Sequence, residues 1–81
     1  MTVKVQFFSY FKELAGCPQF HASLEPGGTI ADLMHVIYKQ FPKLEPMRKS
    51  TLIAVGVEYQ DRAYVLKDGD EVSLFPPVQG G

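Results

Sequence analysis

Val3, Val5 and Phe7 alternate with Lys4 and Gln6 at the start of the chain, and a period of two predicts a strand with one face on a core and the other on solvent. Phe8 falls on the polar side of that alternation. The run Tyr10-Phe11-Lys12-Glu13-Leu14-Ala15 suits a short helix, ended by Gly16, which can take the left-handed conformation of a helix stop. Residues 19–24 predict a second strand, pairing with the first as an edge hairpin whose loop contains that helix, and Pro26-Gly27-Gly28 closes it. The next segment carries the strongest helical pattern. Thr29 is a good N-cap, Asp32 stands three positions on where a carboxylate can answer the free amide of the cap, and Ile30, Leu33, Met34, Ile37 and Phe41 form one apolar stripe ended by Pro42. Asp32, His35 and Lys39 share the opposite, solvated face.

Beyond this helix the pattern weakens. Residues 42–50 predict an irregular connection holding one helical turn, 51–57 a third strand bent at Gly56, and 62–66 a brief fourth strand. Asp68-Gly69 predicts a solvated hairpin turn, and Glu71-Val72-Ser73-Leu74-Phe75 alternates again as a last strand with Val72 and Leu74 inward and Phe75 outward. Strands, a central helix and more strands describe an α+β domain over 1–75, a mixed sheet with one main helix on one face, followed by an extended, flexible tail over 76–81. If the first and last strands pair side by side, Phe8 and Phe75 share the outer face. Their neighbours of the same parity are polar, so both rings should be largely exposed.

Eighty-one residues suffice for one compact domain, and 46% hydrophobic with 21% charged residues is the balance of a globular protein. A formal net charge of −1 gives no field for nucleic acid or an anionic membrane surface. With no long apolar run at the start, the expected location is cytoplasmic. Cys17 is the single cysteine, so no internal disulfide or multi-cysteine metal site can form.

A self-contained active site is hard to assemble. His21 and His35 have no third ligand at metal spacing, and a structural role is the plainer account of each. Cys17 has no basic neighbour in sequence to activate it, which makes an ordinary loop thiol the plainer account there too. Asp68, Asp70 and Glu71 suit a solvated turn better than a catalytic carboxylate pair. What remains is Phe75-Pro76-Pro77-Val78-Gln79-Gly80-Gly81, a terminus without a charged side chain. Pro76-Pro77 would hold it extended over roughly 20 Å, while Gly80 and Gly81 lack Cβ atoms and can enter a narrow channel. The Gly81 carboxylate is an anion at neutral pH and a poor electrophile. Attack on the α-phosphate of ATP would turn it into an acyl-adenylate, and a sulfur nucleophile would turn that into a thiocarboxylate. The chain has no glycine-rich phosphate loop, so another protein would supply the ATP and magnesium machinery, and no cofactor is expected on this chain.

The ordered set Val5-Gln6-Phe7-Phe8, Lys12-Glu13-Leu14-Ala15-Gly16, Gly28-Thr29-Ile30-Ala31-Asp32-Leu33 and Leu66-Lys67-Asp68-Gly69-Asp70-Glu71-Val72, leading into the Phe-Pro-Pro-Val-Gln-Gly-Gly end, resembles the small sulfur-carrier subunits of molybdopterin synthase, a ubiquitin-like β-grasp family. The resemblance spans essentially the whole chain. One departure is Gly56, where those proteins usually carry Asn. The resemblance implies a carrier that is not catalytic alone. A ubiquitin-activating-type adenylyltransferase would adenylate Gly81, a sulfur donor protein would make the thiocarboxylate, and the synthase large subunit would receive the tail and pass sulfur to a pterin precursor. It further implies partner contacts at Phe8, Lys12, Tyr59 and Phe75 and along Pro76, Pro77, Val78 and Gln79. Three other readings stay open: a carrier for thiamine or another thio-compound, a ubiquitin-like modifier forming isopeptide bonds, and an interaction module with incidental glycines.

Overall fold

The computed structural model of the chain describes residues 1–77. Five strands and two α-helices follow one another as β1 (Thr2–Phe7), α1 (Phe11–Ala15), β2 (Gln19–Ser23), α2 (Ile30–Gln40), β3 (Leu52–Val55), β4 (Glu58–Tyr59) and β5 (Glu71–Phe75), with a 3-10 helix at Pro42–Met47. The strands form one sheet in the order β2-β1-β5-β3-β4. β1 and β5 run parallel, and the other neighbours are antiparallel. This is the mixed, helix-covered sheet of the ubiquitin-like β-grasp.

Alternation decides which face meets the helix. In β1 the side chains of Val3, Val5 and Phe7 are buried while those between them are not, and β5 repeats this with Val72 and Leu74. These residues join Ile30, Leu33, Met34 and Ile37 of α2 in a single core. Burying a side chain of this size stabilises by about 1.5–3 kcal/mol relative to leaving it exposed. Phe41, expected on the helix stripe, is instead the C-cap and only half-buried. Its ring packs edge-on against Phe7 and Phe20, at 5.2 and 5.1 Å between centroids, and closes the core at that end.

The N-terminus of α2 explains the largest difference from the sequence expectation. Thr29 and Asp32 form the anticipated capping box, the Asp32 carboxylate accepting from Thr29 N at 2.9 Å and the Thr29 hydroxyl accepting from Asp32 N at 3.3 Å. Two further amides of the first turn, those of Ile30 and Ala31, donate to the carbonyls of Tyr64 and Arg62 at 3.0 Å each. The Arg62 and Tyr64 carbonyls are therefore spent on the helix rather than on the sheet. They contribute only an isolated bridge, Val65 to Thr29. The fourth strand is instead Glu58–Tyr59, because the bend at Gly56 is a hairpin turn. Gly56 has φ 61° and Val57 follows at the tip, a pattern in which a positive φ at the first turn position matches the twist of the flanking strands.

The turn at Asp68-Gly69 likewise differs from the expected hairpin, since β5 pairs with β1 and β3 and with no strand ending at that turn. Its carboxylates order the entry to β5. Asp68 Oδ1 accepts from Thr2 N at 2.8 Å, and Asp70 Oδ2 accepts from Lys67 N at 2.9 Å. Among the described residues, no helix is long and apolar enough to cross a membrane.

Candidate functional site

β5 is the central strand, flanked by β1 and β3, so the chain beyond Phe75 leaves from the middle of the sheet. The parallel register pairs Phe7 with Leu74. Phe8 and Phe75 are thus the next positions on the outer face, and Phe8 N donates to Leu74 O at 3.1 Å to hold them level. Their rings stack with centroids 4.7 Å apart and planes 17° from parallel. Both are half-buried rather than largely exposed, because each ring covers the other. The alternation correctly puts them on the outer face, but solvent exposure depends also on lateral neighbours.

Tyr59 completes the cluster. β4 pairs it with Ala54, and its ring lies 6.5 Å from that of Phe75 at 67°. It remains 69% exposed. Leu52 sits directly opposite Phe75 in the β3–β5 register and adds apolar surface beside the rings. The sequence reading missed Leu52, because its position on the outer face follows only from that register. Ala54, two positions on, is buried outside the main core, under this outer-face cluster. The result is an apolar patch of three aromatic rings and Leu52 on the face opposite α2, at the root of the tail. Each aromatic ring can bury ~150 Å² or more against a partner.

Lys12 lies elsewhere, exposed on α1, whose Phe11 is buried in the core and whose C-cap is Gly16 at φ 80°. α1 begins three residues after Phe8, beyond Ser9 at φ 56° and Tyr10, so Lys12 borders the β1 end of the sheet without joining the aromatic cluster. Pro76 and Pro77 are half-buried. Val78, Gln79, Gly80 and Gly81 lie outside the described residues. His21 projects from the outer face of edge strand β2 opposite Lys4, and His35 from the exposed side of α2. Cys17 is a half-buried free thiol between α1 and β2.

Chemically, the described residues at the root of the tail offer an apolar binding surface. An apolar patch surrounds the exit of a chain whose sequence ends in Gly80-Gly81. Comparison with known proteins extends this picture over the whole length. The model of the ThiS family matches residues 5–81. The molybdopterin synthase sulfur carrier subunit of Chlamydomonas reinhardtii is 37% identical over 84 aligned positions, covering 100% of this chain and 100% of that protein. A putative molybdopterin converting factor, subunit 1, from Pyrococcus furiosus is 34% identical with a TM-score of 0.88, covering 96% of this chain and 99% of that one. The similar chain from the Helicobacter pylori complex of subunits 1 and 2 of molybdopterin-converting factor is 32% identical with a TM-score of 0.74, over 100% of both chains. With the capped helix, the Gly-Gly end and every strand but the first three residues of β1 inside the matched span, the chain belongs to the ThiS family.

Proposed function

We propose that this chain is a sulfur carrier for molybdenum-cofactor synthesis, the small subunit of a molybdopterin synthase, working through the carboxylate of Gly81. The observation that carries the reading is the place where the chain leaves the sheet, at Phe75 and Pro76. This exit from the central strand lies at a stacked aromatic patch, so a partner that covers the Phe8, Tyr59 and Phe75 rings also receives the chain end. A similar Helicobacter pylori protein forms a complex with subunit 2 of its molybdopterin-converting factor, and the large subunit is the corresponding partner here. A standard interface buries about 800 Å² on each side, of which three rings would supply the apolar centre.

The chemistry runs in three steps, each on a partner. A carboxylate oxygen of Gly81 attacks the α-phosphorus of ATP bound with magnesium on an adenylyltransferase, a P–O bond forms, and pyrophosphate leaves. Sulfur at the sulfide level, brought by a donor protein, adds to the acyl carbon, and AMP leaves with the bonding pair. The thiocarboxylate sulfur then attacks a carbon of the pterin precursor in the large subunit, a C–S bond forming as a C–O bond of that carbon breaks and its oxygen leaves, and water cleaves the acyl–sulfur bond to return the free carboxylate and leave the sulfur on the pterin. Pro76 and Pro77 set the direction of the tail, Val78 and Gln79 span the channel, and Gly80 and Gly81 fit its narrow end. Lys12 adds a charged contact at the rim. On this reading the work is cytoplasmic, and the chain itself holds no cofactor.

Mass spectrometry after incubation with the adenylyltransferase, magnesium-ATP and sulfide tests the reading. Replacement of one Gly81 carboxylate oxygen by sulfur is the expected product. Isopeptide conjugates to lysines with no thiocarboxylate would make the chain a modifier and overturn it.

A further inference from the structure

Three cations gather on the side of the fold where neither the core nor the proposed tail chemistry uses them. Arg48 and Lys49 follow the 3-10 helix, Arg62 comes from the loop after β4, and together they line a hollow of about 400 Å³ beside Met34 and Tyr38 of α2. No carboxylate is among the residues lining it. Arg62 is fixed in place by its Nη2, which donates to Arg48 O at 2.7 Å and to the Tyr38 hydroxyl at 3.5 Å. Among the described residues the Nε and Nη1 hydrogens make no side-chain hydrogen bond, and each can give one to an incoming group. Like charges held together raise the energy of the folded chain, and an anionic partner would offset that repulsion.

The hollow lies on the α2 side of the sheet and the aromatic patch on the other, and Arg62 borders both sides of the β3–β4 edge. Arg62 also lines a second depression with Leu52, Tyr59 and Asp61, Glu45 lies beside Arg48 and Lys49, and Leu52 pairs with Phe75 at the tail root, so three cations face two flanking carboxylates. A partner seated on the three rings therefore needs to reach only around the β3–β4 edge to meet the cations. Resting on the function proposed above, we infer that Arg48, Lys49 and Arg62 form a second docking area for the large subunit, taking Asp or Glu side chains from an acidic segment of it. Carboxylates suit the site better than free phosphate. The Arg48 guanidinium makes no side-chain bond among the described residues and can pair with a carboxylate through two parallel bonds, Lys49 and Arg62 can add single charge-assisted ones, and Ala31 and Tyr38 line the hollow beside the methylenes of a Glu. Phosphate sites at helix termini instead use free backbone amides. Here the adjacent amides of Ile30 and Ala31 are already engaged by Tyr64 O and Arg62 O.

Calorimetric titration of the full chain with the large subunit, at low and high salt, distinguishes the outcomes. The double variant Arg48→Glu, Lys49→Glu keeps Arg62 and its bonds intact. It is expected to bind at least tenfold more weakly at low salt, to lose most of the salt dependence of the wild type, and to melt at the wild-type temperature. Unchanged affinity and unchanged salt dependence would overturn the inference. Phe75→Ala, run beside it, separates the two readings: if Phe75→Ala alone weakens binding, only the cationic area fails, and if neither does, the large-subunit reading falls with it. Inorganic phosphate and a short RNA serve as competing probes by NMR. Tight, saturable binding of either to the Arg62 side chain, abolished in the double variant and accompanied by unchanged large-subunit affinity, would assign the hollow to that ligand and also overturn the inference.

Discussion

Phe75 bears on both stability and recognition, and the two can be separated by measurement. Its ring is stacked on Phe8 and approached by Tyr59, all on the outer face and outside the main core. An aromatic pair of this kind contributes about 0.5–1.5 kcal/mol beyond its buried area. Phe75→Ala is therefore expected to lower the melting temperature by roughly 4–8 °C, the shift for about 1 kcal/mol in a domain of this size. The affinity for the large subunit should fall at least tenfold, or about 1.4 kcal/mol, since a ring at the centre of an interface is the usual site of concentrated binding energy. Thermal melting beside calorimetric titration reads both, and severe unfolding with undiminished affinity of the folded fraction would make Phe75 a core residue instead. The outward direction of Phe8 and Phe75 was legible because strand alternation is local. Their mutual burial was not, since it depends on a parallel register joining the two ends of the chain. Tyr59 came from family resemblance alone, and Leu52 was invisible until its pairing with Phe75 was known.

At the scale of elements, α2 shows what a sequence can specify without tertiary help. Its cap, its buried stripe of Ile30, Leu33, Met34 and Ile37, and its solvated face follow from spacing, and all lie within eleven residues and their flanks. The segment after β4 is the opposite case. Nothing local in 62–66 reveals that its carbonyls serve the first turn of a helix some thirty residues earlier, so a β-rich composition there suggested a strand that the fold does not make. The same dependence makes Thr29 a junction. Removing its hydroxyl leaves Asp32 N without its side-chain acceptor and loosens a turn to which 62–66 is tied. Thr29→Ala is expected to cost about 1 kcal/mol, within the range of ~0.5–2 kcal/mol for loss of an N-cap. Urea denaturation would measure it, and a loss below about 0.3 kcal/mol would show that the contacts from Tyr64 and Arg62 hold the terminus without the cap.

The whole molecule separates the scaffold from the group it presents. Placing the last strand in the centre of the sheet gives the tail a rigid exit, because β5 is held on both sides by β1 and β3. The core closes with Leu74, the last residue of the buried cluster among the described residues. That order was not legible from strand patterns, which are silent on which strands become neighbours; the sequence supported only the conditional that the first and last strands lie side by side, and the central place of β5 came with the fold. It leads to a prediction in which fold and chemistry part company. Deleting Gly81 removes no residue of the described core, so the melting temperature should be unchanged. The deletion does move the terminal carboxylate back by about 3.3 Å, one extended residue. Nucleophilic attack requires the reacting atoms to be held about 3–3.5 Å apart and aligned, so on the proposed function a retreat of this size would take the carboxylate out of reach of the α-phosphate. The truncated chain should still bind the large subunit through Phe8, Tyr59 and Phe75, with affinity reduced only by the contacts of one glycine. It should give no acyl-adenylate and no thiocarboxylate when both are followed by mass spectrometry and pyrophosphate release. Thiocarboxylate formation at the wild-type rate on the new terminal Gly80 would show that carboxylate position is not decisive, and the terminus would lose its claim as the working group.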